Sequence, residues 1–330
     1  MLVRNRNRNR NRSDPPISHS VASIITGERL QGLADVSLVS PRTRAFHRNV
    51  DRFASTIVFV DDYARLPERD IDQLSRARSL FVYTHELAAF THHVWPRLRG
   101  AAYVLITHNS DDEIGPAQAA WIDAAGAKLT AWFAQNVTVE HAKLVPLPLG
   151  IANSMWAHGN LRILATAAKR APRHDPTEVL FARYSPGTHA ERTELGSALE
   201  RGFPKLATDH ARRISFRQYL RELSAAEFCV CPRGNGIDTH RLWEALYLGV
   251  TPIVKRSTHT EHWQRIGLPL LIVDDWRNLT PTLLDRHRAA AASPLSDGPL
   301  HLDYWSRPVF ASMSEGASTE STDSAGTPAR

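Results

Sequence analysis

Two arginines and a glutamate flank a glycine-containing turn in the second half of this chain. The segment 228–255 reads FCVCPRGNGIDTHRLWEALYLGVTPIVK and contains Arg233, Arg241 and Glu244. Guanidinium groups donate paired hydrogen bonds to phosphate oxygens, and the free N–H groups at a helix N-terminus also favour anions. A carboxylate does not bind phosphate, so Glu244 suits sugar hydroxyls instead. These residue types in this order indicate a site for a nucleoside diphosphate that carries a further group.

A strand, a turn and a helix must hold these side chains in place. The apolar run 228–231 has the length of a buried strand, and Pro232 ends it before the turn. Asp238 or Thr239 can cap the helix that follows. Its apolar positions repeat with helical spacing at Leu242, Ala245, Leu246 and Gly249. The alternative is an ordinary strand–turn–helix unit in which the arginine and glutamate one turn apart form a solvated surface ion pair.

The order of PRG, a short spacer, RLWEAL, a glycine and TPIV resembles the donor-binding signature of exostosin-like (GT47-type) glycosyltransferases. The resemblance is specific over residues 228–255 and looser over 56–273. It implies a GT-B fold, in which two Rossmann-like domains face each other across a cleft and the second holds the nucleotide sugar, most simply UDP-linked. The expected donor-binding residues of this segment are Arg233, Gly234, Asn235, Gly236, Asp238, Thr239, His240, Arg241 and Glu244.

Two further arginines of the second half are placed to help with the diphosphate. Arg183 ends the first predicted strand there, and Arg192 opens the helix that follows. Surface ion pairs are the alternative for both. We include Arg183 among the expected donor-binding residues.

Polar residues follow the apolar runs of the first half, and the segment 107–113, THNSDDE, is the richest. Ligands of open α/β sheets bind beyond the C-terminal ends of the strands, which suits an acceptor site there. An inverting transferase needs a base for the attacking hydroxyl, and inversion is implied by the resemblance. The base candidates begin with Asp111, followed by Asp112 and His108, with Glu113 and His85 behind them. A polar loop in which Ser110 or Asp111 caps the next helix is the alternative.

His108, Asp111 and Asp112 are also legitimate metal ligands. However, the chain contains no tight ligand motif such as HExxH, and the GT-B resemblance implies a metal-independent enzyme. We therefore expect no metal and no cofactor beyond the nucleotide-sugar co-substrate.

Strands and helices alternate along the rest of the chain, which predicts an α/β fold with parallel sheets. The predicted strands are 57–60, 80–83, 103–106, 129–133, 144–149, 178–182, 228–231, 251–254 and 270–273. The expected organisation is a disordered Arg/Asn-rich tail at 1–20, an N-terminal Rossmann-like acceptor domain at 21–150, a crossover at 151–176, a C-terminal Rossmann-like nucleotide-sugar-binding domain at 177–300, a terminal helix at 301–311 returning to the first domain, and a disordered tail at 312–330.

Net charge, hydropathy and cysteine content indicate which partners and which cellular compartment to expect. The net charge is +6, but the arginines of the RNRNRNRNR tract at 4–12 supply five of those charges, so no nucleic-acid partner is expected for the body of the chain. There is no apolar run long enough to span a membrane and no signal-peptide pattern, which predicts a cytoplasmic protein. Cys229 and Cys231, the two cysteines, share one face of a strand, which favours buried thiols over a disulfide.

The sequence thus predicts a glycosyltransferase that moves a sugar from a nucleotide-diphosphate donor to a glycan or another hydroxyl acceptor. Two alternatives stay open. One is a nucleotide-sugar-binding protein without catalysis, and the other is a nucleic-acid-binding protein that acts through its arginine-rich tail.

Overall fold

A computed structural model of the chain describes residues 20–43, 55–171, 178–206, 213–290 and 298–320. Most of the two expected tails, at 1–19 and 321–330, and the end of the expected crossover lie outside the described residues. Within the described residues the strands form two parallel sheets. The predicted α/β fold with parallel sheets is confirmed, and the GT-B arrangement stays a prediction.

The first sheet has six parallel strands. They are β1 (Val36–Val39), β2 (Thr56–Phe59), β3 (Ser79–Tyr83), β4 (Tyr103–His108), β5 (Leu129–Ala134) and β6 (Leu144–Pro146), in the order β2-β1-β3-β4-β5-β6. Every residue of β3 and β4 is buried, as expected for central parallel strands covered on both faces. The sequence pattern does not predict β1, because the polar Ser37 interrupts its short apolar run.

Helices flank this sheet. They are α1 (Gly27–Gln31), α2 (Glu68–Arg76), α3 (Leu87–Ala89) and α4 (Pro116–Ala125). The sequence predicts one regular helix over 86–98, whereas the structure has a 3₁₀ turn, α3, a π-helical turn at Phe90–Val94 and a second 3₁₀ turn at Trp95–Arg97. Pro96 lacks the N–H that a regular helix would need at that position, which accounts for the irregular end.

The second sheet has four parallel strands. They are β7 (Glu178–Phe181), β8 (Ala226–Val230), β9 (Thr251–Lys255) and β10 (Leu271–Val273), in the order β10-β9-β8-β7. The helices around it are α5 (Leu161–Arg170), α6 (Ala190–Gly202), α7 (Phe216–Ser224), α8 (His240–Tyr247), α9 (Thr258–Arg265) and α10 (Pro281–Ala290). The strand–turn–helix–strand unit expected over 228–255 is therefore present as β8, α8 and β9.

A last helix, α11 (Leu302–Glu320), packs against β4, β5 and α1 of the first half. It is longer than the helix expected over 301–311. The hydroxyl of Tyr247 in α8 accepts from the Ile25 N–H (2.9 Å) and donates to the Leu300 carbonyl (2.8 Å). Buried side chains from both sheets and from α11 form one continuous core cluster, which includes Ile106, Phe133, Trp243, Trp263 and Trp305. This core holds the C-terminal ends of the two sheets close together.

Cys229 and Cys231 are free and buried, with their sulfur atoms 3.8 Å apart. They lie in and just after β8, below helix α8. Across the described residues, every helix is too short or too polar to cross a lipid bilayer.

Candidate functional site

A cleft of about 690 Å³ lies between the two halves of the chain. Its walls contain residues that follow β4, β5 and β6 of the first sheet and residues that follow β8 of the second. The polar lining residues come mainly from the glycine turn, the N-terminal turns of α8, and the loop after β4. These are the segments in which the sequence predicts ligand-binding residues and the catalytic base.

Arg241 lies in the first turn of α8 and lines the cleft. Its Nε atom is buried and makes no hydrogen bond to any described residue. None of its nitrogen atoms lies within 4.0 Å of a described carboxylate. Glu244 acts on this guanidinium group only from beyond ion-pair distance, so the group has no described ion-pair partner in the cleft.

Arg192, in the first turn of α6, lines the same cleft and is only 7% exposed. It donates to the Arg233 carbonyl (2.8 Å), the Ser185 carbonyl (3.0 Å) and the Thr188 hydroxyl (3.0 Å). All three acceptors are neutral, and no described carboxylate comes within 4.0 Å. Burial and the nearby Arg241 lower the pKa of Arg192 to about 10.

A buried and a partly buried guanidinium group thus share one cleft, and neither forms an ion pair within 4.0 Å with a described carboxylate. A buried charge without a partner costs several kcal/mol, so such a pair is typical of an anion-binding site. Gly234 approaches Arg192 closely, because a Cβ at this position would lie 3.1 Å from its Nη2 atom. The absence of a side chain leaves room for both the guanidinium group and a ligand.

Glu244 is one turn along α8 from Arg241 and is 4% exposed. Burial raises the pKa of Glu244 to about 7, against the opposing influence of the Tyr219 hydroxyl and the Arg241 guanidinium. Its carboxyl oxygens are more than 4.0 Å from the nitrogen atoms of Arg241. A solvated surface ion pair, the alternative considered from the sequence, is therefore wrong. Glu244 lines the cleft beside the Tyr219 hydroxyl.

Asp238 holds the start of α8 in place. Its Oδ2 atom accepts from the Leu149 N–H (2.9 Å) and from the indole N–H of Trp243 (2.9 Å), and its Oδ1 atom accepts from the Thr239 N–H (2.7 Å). The side chain of His259 lies 3.5 Å from the same carboxylate. Asp238 was expected to contact the donor, but protein groups already use its acceptor positions. It is a positioning residue that ties α8 to the first half.

His240 also ties the two halves together. Its Nδ1 atom lies 2.8 Å from the Gly150 carbonyl oxygen, so Nδ1 carries the proton and donates it. Burial lowers the pKa of His240 to about 4, and the ring is therefore neutral at pH 7. Its Nε2 atom then carries a lone pair, which makes His240 a hydrogen-bond acceptor in the wall of the cleft.

Of the five predicted base candidates, the structure brings Asp111 alone to the cleft. Asp111 is exposed and accepts from the side-chain amide of Asn235 (3.3 Å). Asp112 is exposed and is not among the lining residues. His108 is fully buried, with Nε2 2.9 Å from the Pro148 carbonyl oxygen and Nδ1 accepting from the next N–H (2.7 Å). Because both nitrogens are occupied and burial lowers its pKa, His108 is unsuited to be the base.

The structure does not bring two of the expected donor-binding arginines to the cleft. Arg233 donates to Glu113 of the first half (2.6 Å) and to the Asn235 carbonyl (3.1 Å), outside the lining. Arg183 lies 3.7 Å from Glu222 and is also outside the lining. Arg192 lines the cleft, where the sequence predicts Arg233 and Arg183 to lie. The remaining expected residues that line the cleft are Gly234, Asn235, Gly236, Asp238, Thr239, His240, Arg241 and Glu244.

Sequence reasoning missed a set of ring side chains in the same cleft. They are Trp156 and His158, which follow β6, and Phe216 and Tyr219 of α7. The one available signal was a tryptophan in a loop rich in polar and small residues, IANSMWAHGN. Spacing gave no indication, because the two pairs are far apart in the sequence.

Two asparagines shape the ends of β4 and β5. Asn109 and Asn136 have positive φ angles of 58° and 56°, a conformation that asparagine adopts more readily than most residues. Asn109 accepts from the amide of Asn153 (2.9 Å), and Asn136 accepts from the Asp238 N–H (3.2 Å). These bonds place the loop after β4 opposite the glycine turn.

The described residues contain no group of three His, Cys, Asp or Glu side chains arranged to hold a metal ion.

No protein family model matches the chain. Over 126 residues it is 25% identical to ribitol-5-phosphate xylosyltransferase 1 of Danio rerio. The match covers 35% of this chain and 28% of that protein, so the chain corresponds to well under half of the relative's length. The chain is thus similar, over about a third of its length, to a glycosyltransferase.

Proposed function

We propose that this protein is a glycosyltransferase that holds a nucleotide-diphosphate sugar in the cleft and passes the sugar to a hydroxyl acceptor. One observation carries the proposal. The buried Arg192 and the partly buried Arg241 face the same cleft, and neither has a described carboxylate within 4.0 Å. A diphosphate supplies the charge and the oxygen acceptors that such a pair requires. The partial similarity to a xylosyltransferase supports transfer of a sugar as the reaction.

The donor end of the reaction follows from the lining of the second half. The diphosphate lies against Arg192, Arg241 and the backbone N–H groups of the glycine turn. As the bond between the anomeric carbon and the diphosphate oxygen breaks, negative charge grows on that oxygen, and fixed positive groups stabilise it. Glu244, in its ionised form, accepts hydrogen bonds from the ribose hydroxyls. UDP is the simplest nucleotide for this role.

The acceptor end belongs to the loop after β4. Asp111 takes the proton of the attacking hydroxyl as the new bond to the anomeric carbon forms, which gives inversion. Its exposure at the cleft and its place in the loop after β4 suit it to a step on the acceptor side of the sugar. Two parallel sheets with a cleft at their C-terminal ends also support a GT-B arrangement. An exostosin-like, metal-independent enzyme is part of the same proposal and follows from the sequence resemblance.

Binding is tested by calorimetry of the full chain with UDP, GDP, ADP and CMP. We expect Arg241→Ala and Arg192→Ala to weaken nucleotide binding at least about tenfold, since a hydrogen bond to a charged group is worth about 1.5–3 kcal/mol. Arg233→Ala is the matched control, because this arginine is paired with Glu113 outside the lining. It should leave the dissociation constant within about threefold. A folded wild-type protein that binds none of the four nucleotides would contradict the proposal.

Catalysis is tested separately by release of the nucleotide from UDP-xylose, UDP-glucose and UDP-N-acetylglucosamine, with water or oligosaccharides as acceptors. Asp111→Asn should lower kcat by about 10²–10⁴-fold while UDP affinity stays unchanged, as expected for loss of a general base. Asp112→Asn is the matched control and should retain turnover. Equal turnover in both variants would exclude Asp111 as the base, and binding without any turnover would leave a nucleotide-sugar-binding protein.

A further inference from the structure

Four ring side chains form one wall of the cleft, called here the aromatic wall: Trp156, His158, Phe216 and Tyr219. The rings of Phe216 and Tyr219 are stacked at 6.3 Å with an interplanar angle of 15°. His158 meets Phe216 edge-on at 6.5 Å and is stacked on Trp156 at 6.1 Å with an angle of 24°. The rings thus form a continuous row rather than isolated contacts.

Trp156, at the outer end of the aromatic wall, is 49% exposed. This is unusual within the described residues, where Trp132, Trp243, Trp263 and Trp276 are among the largest fully buried side chains. A large ring that is exposed in a cleft offers apolar surface that a bound ligand can bury. Such rings stack on planar groups, and nucleobases bind to aromatic side chains in this way without requiring a particular sequence.

The neighbours of the aromatic wall indicate which planar group it takes. Arg241 and Glu244 are one helical turn apart on α8, and Tyr219 lies close enough to both to affect their ionisation. Phe216, His158 and Trp156 continue the row from Tyr219, and the His158 ring also lies 6.1 Å from the ring of His240 at the start of α8. Cationic, carboxylate and aromatic groups therefore adjoin one another in the cleft. A nucleotide presents phosphate, ribose hydroxyls and a planar base, which are the groups that match them.

We propose that the aromatic wall is the subsite for the nucleobase of the donor, with the base stacked against the exposed faces of its rings. The proposal rests on the proposed function, because it takes the diphosphate to lie at Arg192 and Arg241. Burial lowers the pKa of His158, so its ring is neutral at pH 7 and has one donor and one acceptor nitrogen for the edge of the base. The base therefore contributes affinity independently of the phosphates.

Three ligands separate the contribution of the base from that of the phosphates: UDP, inorganic pyrophosphate and ribose 5-phosphate. Calorimetry with the wild-type chain should show UDP binding at least about tenfold more tightly than pyrophosphate, in line with the usual strength of base stacking on aromatic rings. UDP should also quench tryptophan fluorescence, and pyrophosphate and ribose 5-phosphate should not.

Trp156→Leu should remove most of the advantage of UDP over pyrophosphate, and most of the quenching, while the affinity for pyrophosphate itself stays the same. Trp121→Leu is the matched control, because this partly buried tryptophan packs against Trp95 and Trp132 away from the cleft. It should keep the full advantage. Phe216→Leu provides a second test farther along the aromatic wall and should act in the same direction as Trp156→Leu.

Several outcomes would overturn the proposal. Equal affinity of the wild type for UDP and pyrophosphate would show that the base makes no contact, although the anion site would stand. An undiminished UDP advantage in both Trp156→Leu and Phe216→Leu would place the base elsewhere. Failure of UDP and pyrophosphate alike to bind the folded wild type would instead remove the proposed function on which the subsite depends.

Discussion

Glu244 is a carboxyl group held where its charge is disfavoured. Burial raises its pKa to about 7 from an ordinary value of 4.5. Below the ordinary value the group is neutral in both the folded and the unfolded chain. Between the two values the unfolded chain ionises first, so the free energy of unfolding falls as the pH rises from 4.5 to about 7, by roughly 3 kcal/mol at most. The free protein is therefore less stable at pH 8 than it would be with a neutral side chain here.

Glu244→Gln should raise the melting temperature of the free protein at pH 8 and change it little at pH 5, because glutamine cannot ionise. The same variant should weaken UDP binding at pH 8, since the ionised carboxylate is the form proposed to accept from the ribose. Thermal unfolding and calorimetry at the two pH values measure both effects. Glu140→Gln, at a largely exposed position, should change neither. A Glu244→Gln variant less stable than wild type at pH 8 would contradict the conclusion that ionised Glu244 destabilises the free protein.

Arg241 and Glu244 could be predicted as site residues from their types and their spacing behind a glycine turn. Arg233 could not be excluded in the same way, since its turn toward Glu113 depends on a loop that lies 120 residues earlier in the chain. His108 looks like a base in the sequence and becomes a buried structural side chain once Pro148 lies beside it. Side-chain direction is decided by neighbours that only the folded chain brings together.

At the level of elements, the start of α8 is fixed to the end of β6 by short contacts. Gly150 has a φ angle of +67°, and a Cβ on it would lie 2.6 Å from the Ile25 carbonyl oxygen. Its own carbonyl accepts from His240. Gly150 therefore meets two demands, an unusual backbone conformation and a close approach of two chain segments.

Gly150→Ala should lower the free energy of unfolding by more than the roughly 1–2 kcal/mol that a left-handed conformation costs a residue with a Cβ. Gly249→Ala separates the two causes, because Gly249 has a similar φ of +72° but open space where a Cβ would lie. Urea unfolding of both variants gives the comparison. UDP affinity should fall in Gly150→Ala and hold in Gly249→Ala. Equal destabilisation would mean that the chain near Ile25 can move aside.

The apolar runs predict most strands of both sheets, because buried parallel strands are nearly continuous in apolar residues. The rule that ligands bind at strand ends also points to the loop after β4, which the cleft contains. It does not identify the cleft itself. The first sheet reverses its strand order between β1 and β3, yet the cleft lies beyond β4, β5 and β6. The second sheet provides the opposite wall, and no local pattern in the first half could indicate that.

Across the whole molecule, one core joins the two sheets and α11. The Tyr247 hydroxyl bridges the Ile25 N–H and the Leu300 carbonyl inside that core. Tyr247→Phe should cost about 1–3 kcal/mol of unfolding free energy, because it leaves a buried donor and a buried acceptor unpaired. Both sheets should still unfold in a single transition, observed by calorimetry and by circular dichroism. Tyr304→Phe, at an exposed position, is the control. Two separate transitions would show that the core does not couple the halves.

The sulfur atoms of Cys229 and Cys231 belong to the only two cysteines of the chain. Both are buried, so a thiol-specific reagent reaches them only when α8 lifts from β8. The rate of their chemical labelling therefore measures how often the nucleotide site opens, and the measurement requires no mutation. Labelling should proceed slowly in the free protein and more slowly with UDP, because a ligand that binds Arg241 stabilises the packing of α8 against β8. A rate unaffected by saturating UDP would mean that the thiols are reached by a path that bypasses the site.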